Sequence, residues 1–248
     1  MTTDRVPAHV LVFDDAEEVA KAAADRFIEL AGKAVGGERR LSVALAGGST
    51  PRRTYQLLAS DEYMERVDWA RVHIFFGDER CVPPTDSESN YHMADEALLS
   101  RLPALPQANV HRMVAEGDPY TGARLYEQEM RSFFPDAPWP RFDLVLLGMG
   151  DDGHTASLFP HTDALREEQA WVAANWVGKL KTFRLTLTVP AINHAANVLF
   201  MVTGLAKAER LREVIRGQRD PERLPAQMIG AVDGSLKWLV DEAAASRL

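Results

Sequence analysis

The chain has one cysteine, Cys81, in 248 residues. That excludes an internal disulfide and fits a reducing, cytoplasmic setting. No histidine lies close to Cys81 in sequence to activate it, so an inert thiol is expected. Long apolar runs are also missing. No segment approaches the roughly eighteen apolar residues of a membrane span, and residues 1–10, with Arg5 and Pro7, lack the sustained apolar stretch of a signal peptide. Positive charge is scarce: 28 basic side chains against 36 acidic ones leave a net charge of -8. That balance argues against nucleic acid or an anionic membrane as partner, and it means that an anionic ligand needs a local cluster of cations. Repeats and low-complexity tracts are absent too.

What remains is an ordinary globular composition. With 46% hydrophobic and 26% charged residues, the chain can bury a full core as one large α/β domain or two small ones. Runs rich in Val, Leu, Ile and Phe recur at 41–46, 72–76, 144–147, 184–189 and 198–202. They lack polar alternation, as expected of parallel strands buried on both faces. Helical spacing is read at 16–34, 51–59, 89–101, 120–134 and 205–216. The alternation predicts a single doubly wound, mostly parallel sheet flanked by helices, Rossmann-like but modified, with residues 8–13 and 237–240 as edge strands that could run antiparallel. The Pro-rich stretch 134–140 leads directly into a strand, so it reads as a surface loop, and residues 1–248 as one domain.

Polar groups gather at the expected carboxyl ends of these strands. Run 41–46 leads into Gly47, Gly48, Ser49, Thr50 and Pro51 and then a helix. Glycines allow close backbone approach, and free N–H groups at the helix start favour a phosphate. An ordinary turn capped by Ser49 or Thr50 fits the same residues. No P-loop lysine follows, which disfavours a nucleoside triphosphate. Run 72–76 ends at Gly77, Asp78, Glu79 and Arg80. Arg80 is suited to an anion or an oxyanion, and Asp78 or Glu79 to orienting it or to proton transfer; a solvated charged turn is the plainer reading. Ser87 to Asn90 reads as a helix cap, with a ligand contact from Asn90 left open.

Run 144–147 is followed by Gly148, Met149, Gly150, Asp151, Asp152, Gly153 and His154. The glycines match the dinucleotide fingerprint formally. Two carboxylates where a pyrophosphate would sit, and Pro160 ending the next helical stretch early, speak against it. His154 reads as a general base oriented by Asp152, since an imidazole of ordinary pKa near 6.5 is mostly neutral at pH 7. No metal-ligand spacing accompanies it. A cap on a short helix at 155–159 is the structural alternative. Run 198–202 leads into Thr203, Gly204 and then Lys207, one turn into a helix, where an ammonium can reach an anion. Arg184, with Lys179 and Lys181 before it, offers further cations, though any one of them fits a solvated surface.

In their joint order, Leu45 to Pro51, Gly77 to Arg80, Ser89 to Tyr91, Gly148 to Pro160 and Thr203 to Ala208 closely resemble the 6-phosphogluconolactonase family, which groups with the glucosamine-6-phosphate deaminases and isomerases. The resemblance spans nearly the whole chain. It implies hydrolysis of 6-phospho-D-glucono-1,5-lactone to 6-phosphogluconate, the second step of the oxidative pentose phosphate pathway, by a carboxylic ester hydrolase whose ligand is a small sugar-phosphate lactone. No metal or organic cofactor is required by that chemistry. Implied roles are His154 as base, Asp152 orienting it, Arg80 on the substrate or oxyanion, and Asp78 positioning Arg80 or sugar hydroxyls. Gly47, Gly48, Ser49 and Thr50, with Arg184 and Lys207, would hold the phosphate. Deaminases carry a run like Asp-Gly-His-Ile-Ala-Phe-Asn-Glu-Pro, whose glutamate assists ring opening; here Phe159 precedes Pro160. A sugar-phosphate deaminase or isomerase, and a non-catalytic sugar-phosphate sensor, are the rival readings.

Overall fold

The computed structural model describes residues 9–37 and 39–248. Nine strands and eight α-helices are formed among them: β1 (Val10–Phe13), α1 (Ala16–Gly36), β2 (Leu41–Leu45), α2 (Ser49–Leu58), α3 (Asp61–Met64), β3 (Val72–Phe76), β4 (Asp78–Arg80), α4 (Asn90–Ala97), α5 (Pro119–Phe133), β5 (Leu144–Leu147), β6 (Val172–Val177), β7 (Thr182–Leu187), α6 (Val189–Asn193), β8 (Asn197–Val202), α7 (Ala208–Arg216), β9 (Ser235–Asp241) and α8 (Glu242–Ala245).

Six strands form a wholly parallel sheet in the order β1-β9-β8-β5-β2-β3. The apolar runs explain it. Every residue of β2, β3 and β5 is buried, which a strand tolerates only with helices on both faces. Helix α1 supplies one such cover. Val19, Ala23, Phe27 and Leu30 fall at helical spacing and are buried, Glu17 and Glu18 sit in its first turn and Lys33 in its last, and Asp15 Oδ1 accepts from the Glu18 N–H at 2.9 Å. Fully burying a side chain such as Phe27 contributes about 2 kcal/mol. One apolar core runs through both sheets.

The remaining strands form a small antiparallel sheet, β4-β7-β6. Run 184–189, expected as another parallel strand, belongs to it as β7. No crossover helix separates it from β6; instead a four-residue turn, with Lys181 at φ 52°, reverses the chain into a hairpin, and antiparallel pairing follows. Segment 78–80, read as a turn, forms β4 against β7. The expected edge strand at 237–240 lies one place in from the edge, as parallel β9 between β1 and β8; helix α7 provides the crossover that parallel pairing needs. Residues 10–13 of the other expected edge strand form the true edge, also parallel, while residue 8 lies outside the described residues.

From β2 the strand order runs outward to β3 on one side and to β5, β8 and β9 on the other. The crevice above the carboxyl ends of β2 and β5 is therefore the topological switch point, where open α/β sheets bind ligands. Among the described residues no helix is long and apolar enough to cross a membrane.

Candidate active site

A cavity of about 250 Å³ opens at this switch point. Its walls come from the segments after β2, β3, β5 and β8, which bring Gly47–Thr50, Asp78, Arg80, Gly150, His154 and Lys207 around one space.

Two buried tyrosines fix the carboxyl ends of β2 and β3. The Tyr55 hydroxyl accepts from the Ala46 N–H at 2.9 Å and donates to the Ala46 carbonyl at 2.8 Å. Tyr126 does the same at Phe76, accepting at 2.8 Å and donating at 3.3 Å. The last peptide groups of two neighbouring strands are thus satisfied without secondary structure. Beyond β2, Gly48 adopts φ 106°, outside the range of most side chains, and α2 starts at Ser49 with no side-chain cap. Gly48, Ser49, Thr50 and Pro51 line the cavity, and an uncapped helix start is where backbone N–H groups can receive an anion. Gly47 has to be glycine for another reason: a Cβ there would lie 2.0 Å from Asn90 Oδ1. The Thr50 hydroxyl is 2.8 Å from that of Thr203, tying the β2 loop to the β8 loop.

Asp78 and Glu79 are adjacent but play different parts. Glu79 turns into the protein and accepts from the N–H groups of Arg80, Asn90 and Tyr91 and from the Ser89 hydroxyl, at 2.7–3.0 Å. Burial raises its carboxyl above the ordinary range against the pull of those bonds. It anchors the start of α4 and does not line the cavity, so of the two carboxylates expected as alternatives for orienting Arg80 or for proton transfer, Asp78 is the one at the site. Asp78 stays in the cavity wall, held by Ser157 Oγ at 2.7 Å and Asn90 Nδ2 at 3.2 Å. Arg80 donates to the Glu88 carbonyl and lines the cavity.

Arg184 does not line it; it faces Arg80 across the β4–β7 ladder. Burial, and then the Arg80 guanidinium, draw Arg184 below its ordinary value. Two abutting guanidiniums make a positive patch that a dianion would relieve. Lys207 also lines the cavity and is bonded to Asp151, whose carboxyl it holds below the ordinary range.

His154 owes its position to the glycine-rich loop. The Gly150 N–H donates to the His154 carbonyl at 2.9 Å and the Gly153 N–H to Gly150 at 3.0 Å, with Gly153 at φ 82°. A Cβ on Gly150 would lie 2.1 Å from the imidazole. The ring stacks on Phe159, centroids 4.0 Å apart, and Nδ1 lies 2.5 Å from Asp152 Oδ1. Partial burial alone would raise the Asp152 carboxyl; the hydrogen bond and charge of His154, then Lys179, hold it far below the usual carboxylate range instead. Nε2 has no hydrogen-bond partner among the described residues, and the ring lines the cavity. Asp152 itself stands behind the ring.

The helix expected at 155–159 is not formed. Thr155 Oγ1 bonds the Gly148 carbonyl at 2.8 Å, Ala156 adopts φ 47°, and Ser157 turns to Asp78. Side chains that capture nearby polar groups compete with helix formation. With no helix there, the fingerprint glycines present no helix start to a pyrophosphate. Among the described residues no group of three or more His, Cys, Asp or Glu side chains could hold a metal ion. Cys81 is half-buried, and burial pushes its thiol up to about 11, consistent with an inert role.

The family described as glucosamine-6-phosphate isomerases/6-phosphogluconolactonase matches residues 14–238. The chain belongs to this family. A 6-phosphogluconolactonase from a Synechocystis strain is 41% identical over 219 residues, covering 87% of this chain and 88% of that protein; one from Haemophilus influenzae is 36% identical over 202 residues, covering 82% and 85%. The solved 6-phosphogluconolactonase of Trypanosoma cruzi superposes with a TM-score of 0.84 at 30% identity over 96% of each chain. In this member of the glucosamine-6-phosphate isomerase/6-phosphogluconolactonase family, the motif residues Gly47, Gly48, Ser49, Thr50, Asp78, Arg80, His154 and Lys207 all line the cavity. The contacts of Asn90 and Ser157 with Asp78 and of Thr50 with Thr203 depend on loops meeting in space. Their only mark in the sequence is that Asn90 and Ser157 fall within segments 89–91 and 148–160.

Proposed function

We propose that the protein hydrolyses 6-phospho-D-glucono-1,5-lactone to 6-phospho-D-gluconate, in the oxidative pentose phosphate pathway, with His154 as general base. The observation that carries this reading is one imidazole with Nδ1 held by a carboxylate and Nε2 unpartnered in a cavity that also holds an arginine and an open helix start.

Nε2 takes a proton from water, and the resulting hydroxide forms a bond to lactone C1. Charge moves to the carbonyl oxygen, within reach of the Arg80 guanidinium. Collapse breaks the bond from C1 to the ring oxygen, which takes the proton from the imidazolium; the new carboxylic acid then ionises to solvent. Asp152 stabilises the imidazolium between these steps, as an orienting carboxylate does. Asp78 positions Arg80 or sugar hydroxyls. The Gly47–Thr50 segment and Lys207 hold the phosphate, with Arg184 adding its field from beside Arg80. Lys207 exchanges Asp151 for the phosphate in that step. Because groups from both sheets meet at the substrate, residues 1–248 are read as one catalytic α/β unit.

Freshly generated 6-phosphogluconolactone, coupled to 6-phosphogluconate dehydrogenase and corrected for spontaneous opening, provides the test, with ammonia release from glucosamine 6-phosphate followed alongside. Rapid hydrolysis without ammonia is the expected result. Saturable binding of 6-phosphogluconate by folded protein without acceleration would overturn it in favour of a sugar-phosphate sensor.

A further inference from the structure

Asp152 has two carboxylate oxygens, and the mechanism uses one. Oδ1 is taken by His154, through Nδ1 at 2.5 Å and the backbone N–H at 3.2 Å. Oδ2 receives the ammonium of Lys179 at 3.0 Å. Lys179 comes from the turn joining β6 and β7, so the small sheet reaches over to the β5 loop of the large one. The ion pair borders a second cavity of about 250 Å³, walled by Phe159, Pro160, Val177 and Gly178. None of its lining residues is shared with the substrate cavity. The hydrogen bond by which Lys179 reaches toward the reacting centre is therefore the one to Asp152.

We propose that Lys179 is a positioning residue for the base. It holds Oδ2 so that Oδ1 stays on the imidazole, and its charge offsets the pull of the carboxylate on the imidazolium. The inference rests on the reading of His154 as the base. A base must be neutral to accept a proton, and a carboxylate at hydrogen-bond distance favours the protonated ring. An ammonium on the other oxygen opposes that tendency and leaves the ring available at lower pH. The other charged groups facing the site are Asp78 and Arg80 from β4, Asp151 and Lys207 bonded to each other, and Arg210 of α7 donating to the Asp151 carbonyl. None of them contacts Asp152 Oδ2, so a Lys179 variant changes one interaction.

The experiment compares the wild type with Lys179→Met and Lys179→Arg. Lys179 is exposed on a turn, so folding is expected to survive, and thermal melting verifies it. In Lys179→Met the acid limb of the kcat profile should move up by about half a pH unit, equivalent to roughly a threefold loss on that limb. KM should be unchanged, and Lys179→Arg should restore the wild-type limb. In labelled protein without substrate, the pH midpoint of the His154 ring signals should move by the same amount. A Lys179→Met limb and midpoint superimposed on the wild type would overturn the proposal, as would an effect confined to KM. Failure of the underlying reading looks different: the wild type would hydrolyse no lactone, or its acid limb would persist in a His154 variant.

Discussion

His154 and His111 each place Nδ1 on a carboxylate, Asp152 at 2.5 Å and Glu129 at 2.6 Å. By pairwise geometry the two dyads are the same, yet their surroundings assign them opposite work. The His154 ring lies at the carboxyl ends of the parallel strands and lines a cavity, with Nε2 unpartnered among the described residues. The His111 ring is buried against Phe75, centroids 4.1 Å apart, and its Nε2 is taken by His73 Nδ1 at 3.0 Å. Burial, then His111 and Arg40, pull His73 down to about 4, so the second cluster stays neutral on the His73 side at ordinary pH. A histidine and a carboxylate make a catalytic dyad only when the far nitrogen has somewhere to send its proton.

Removing each histidine should separate the two roles most sharply. His154→Ala should lose about 10³-fold in kcat while still binding 6-phosphogluconate by titration calorimetry; near-normal turnover would reduce His154 to a structural part. Next in size, Gly150→Ala forces a methyl group into the imidazole. A displaced base costs about 10²-fold in turnover, with the melting temperature much less affected, and a fully active variant would show that ring placement is loose. His111→Ala inverts the pattern. It should keep kcat within about twofold yet lose about 2 kcal/mol of stability in denaturant unfolding, because it opens a hole beside Phe75 and strips His73 of its partner. The smallest effect is in pH. The folded His73 value lies below the unfolded one near 6.5, so the unfolded chain binds more protons between them. The contribution is complete above about pH 6.5 and is lost as pH falls toward 4, amounting to about 1 kcal/mol between pH 7 and 5.5. His73→Phe should flatten that part of the stability curve; an unchanged slope would place the acid sensitivity elsewhere.

The two dyads also differ in how far they could be read beforehand. Runs 72–76 and 144–147 coincide with β3 and β5 because strands buried on both faces leave apolar residues without polar alternation, His73 being the one polar residue in either run, and the glycine-rich ends of those runs point to the cavity. The His73–His111–Glu129 cluster left no such mark. Its members lie on β3, a loop and α5, and only the packed fold joins them. Strand β6 is weakly marked for a related reason: small Ala173 and Ala174 and polar Asn175 leave no run of large apolar residues, and its pairing with β7 supplies the order that its sequence does not. With β6 unread, the turn that brings Lys179 to Asp152 had no place in the expected topology. Residues 155–159 differ in the opposite sense: the alternative of a short helix before Pro160, capped by His154, gives way to a loop in which the Thr155 and Ser157 hydroxyls take nearby polar groups.

The pairing of β1 with β9 has a kinetic consequence. Val10 pairs with Trp238 and Phe13 with Asp241, so during synthesis the edge of the large sheet cannot close until almost all of the intervening chain has emerged. Contacts between such distant segments slow folding. Asp241, at the end of the same β9, receives the Gly204 N–H on both carboxylate oxygens at 2.9–3.0 Å, so the loop leading to Lys207 is steadied by a late-made strand. During synthesis or refolding, lactonase turnover should therefore trail the bulk recovery of helical signal, and the enzyme's own activity becomes a timer for the last docking event.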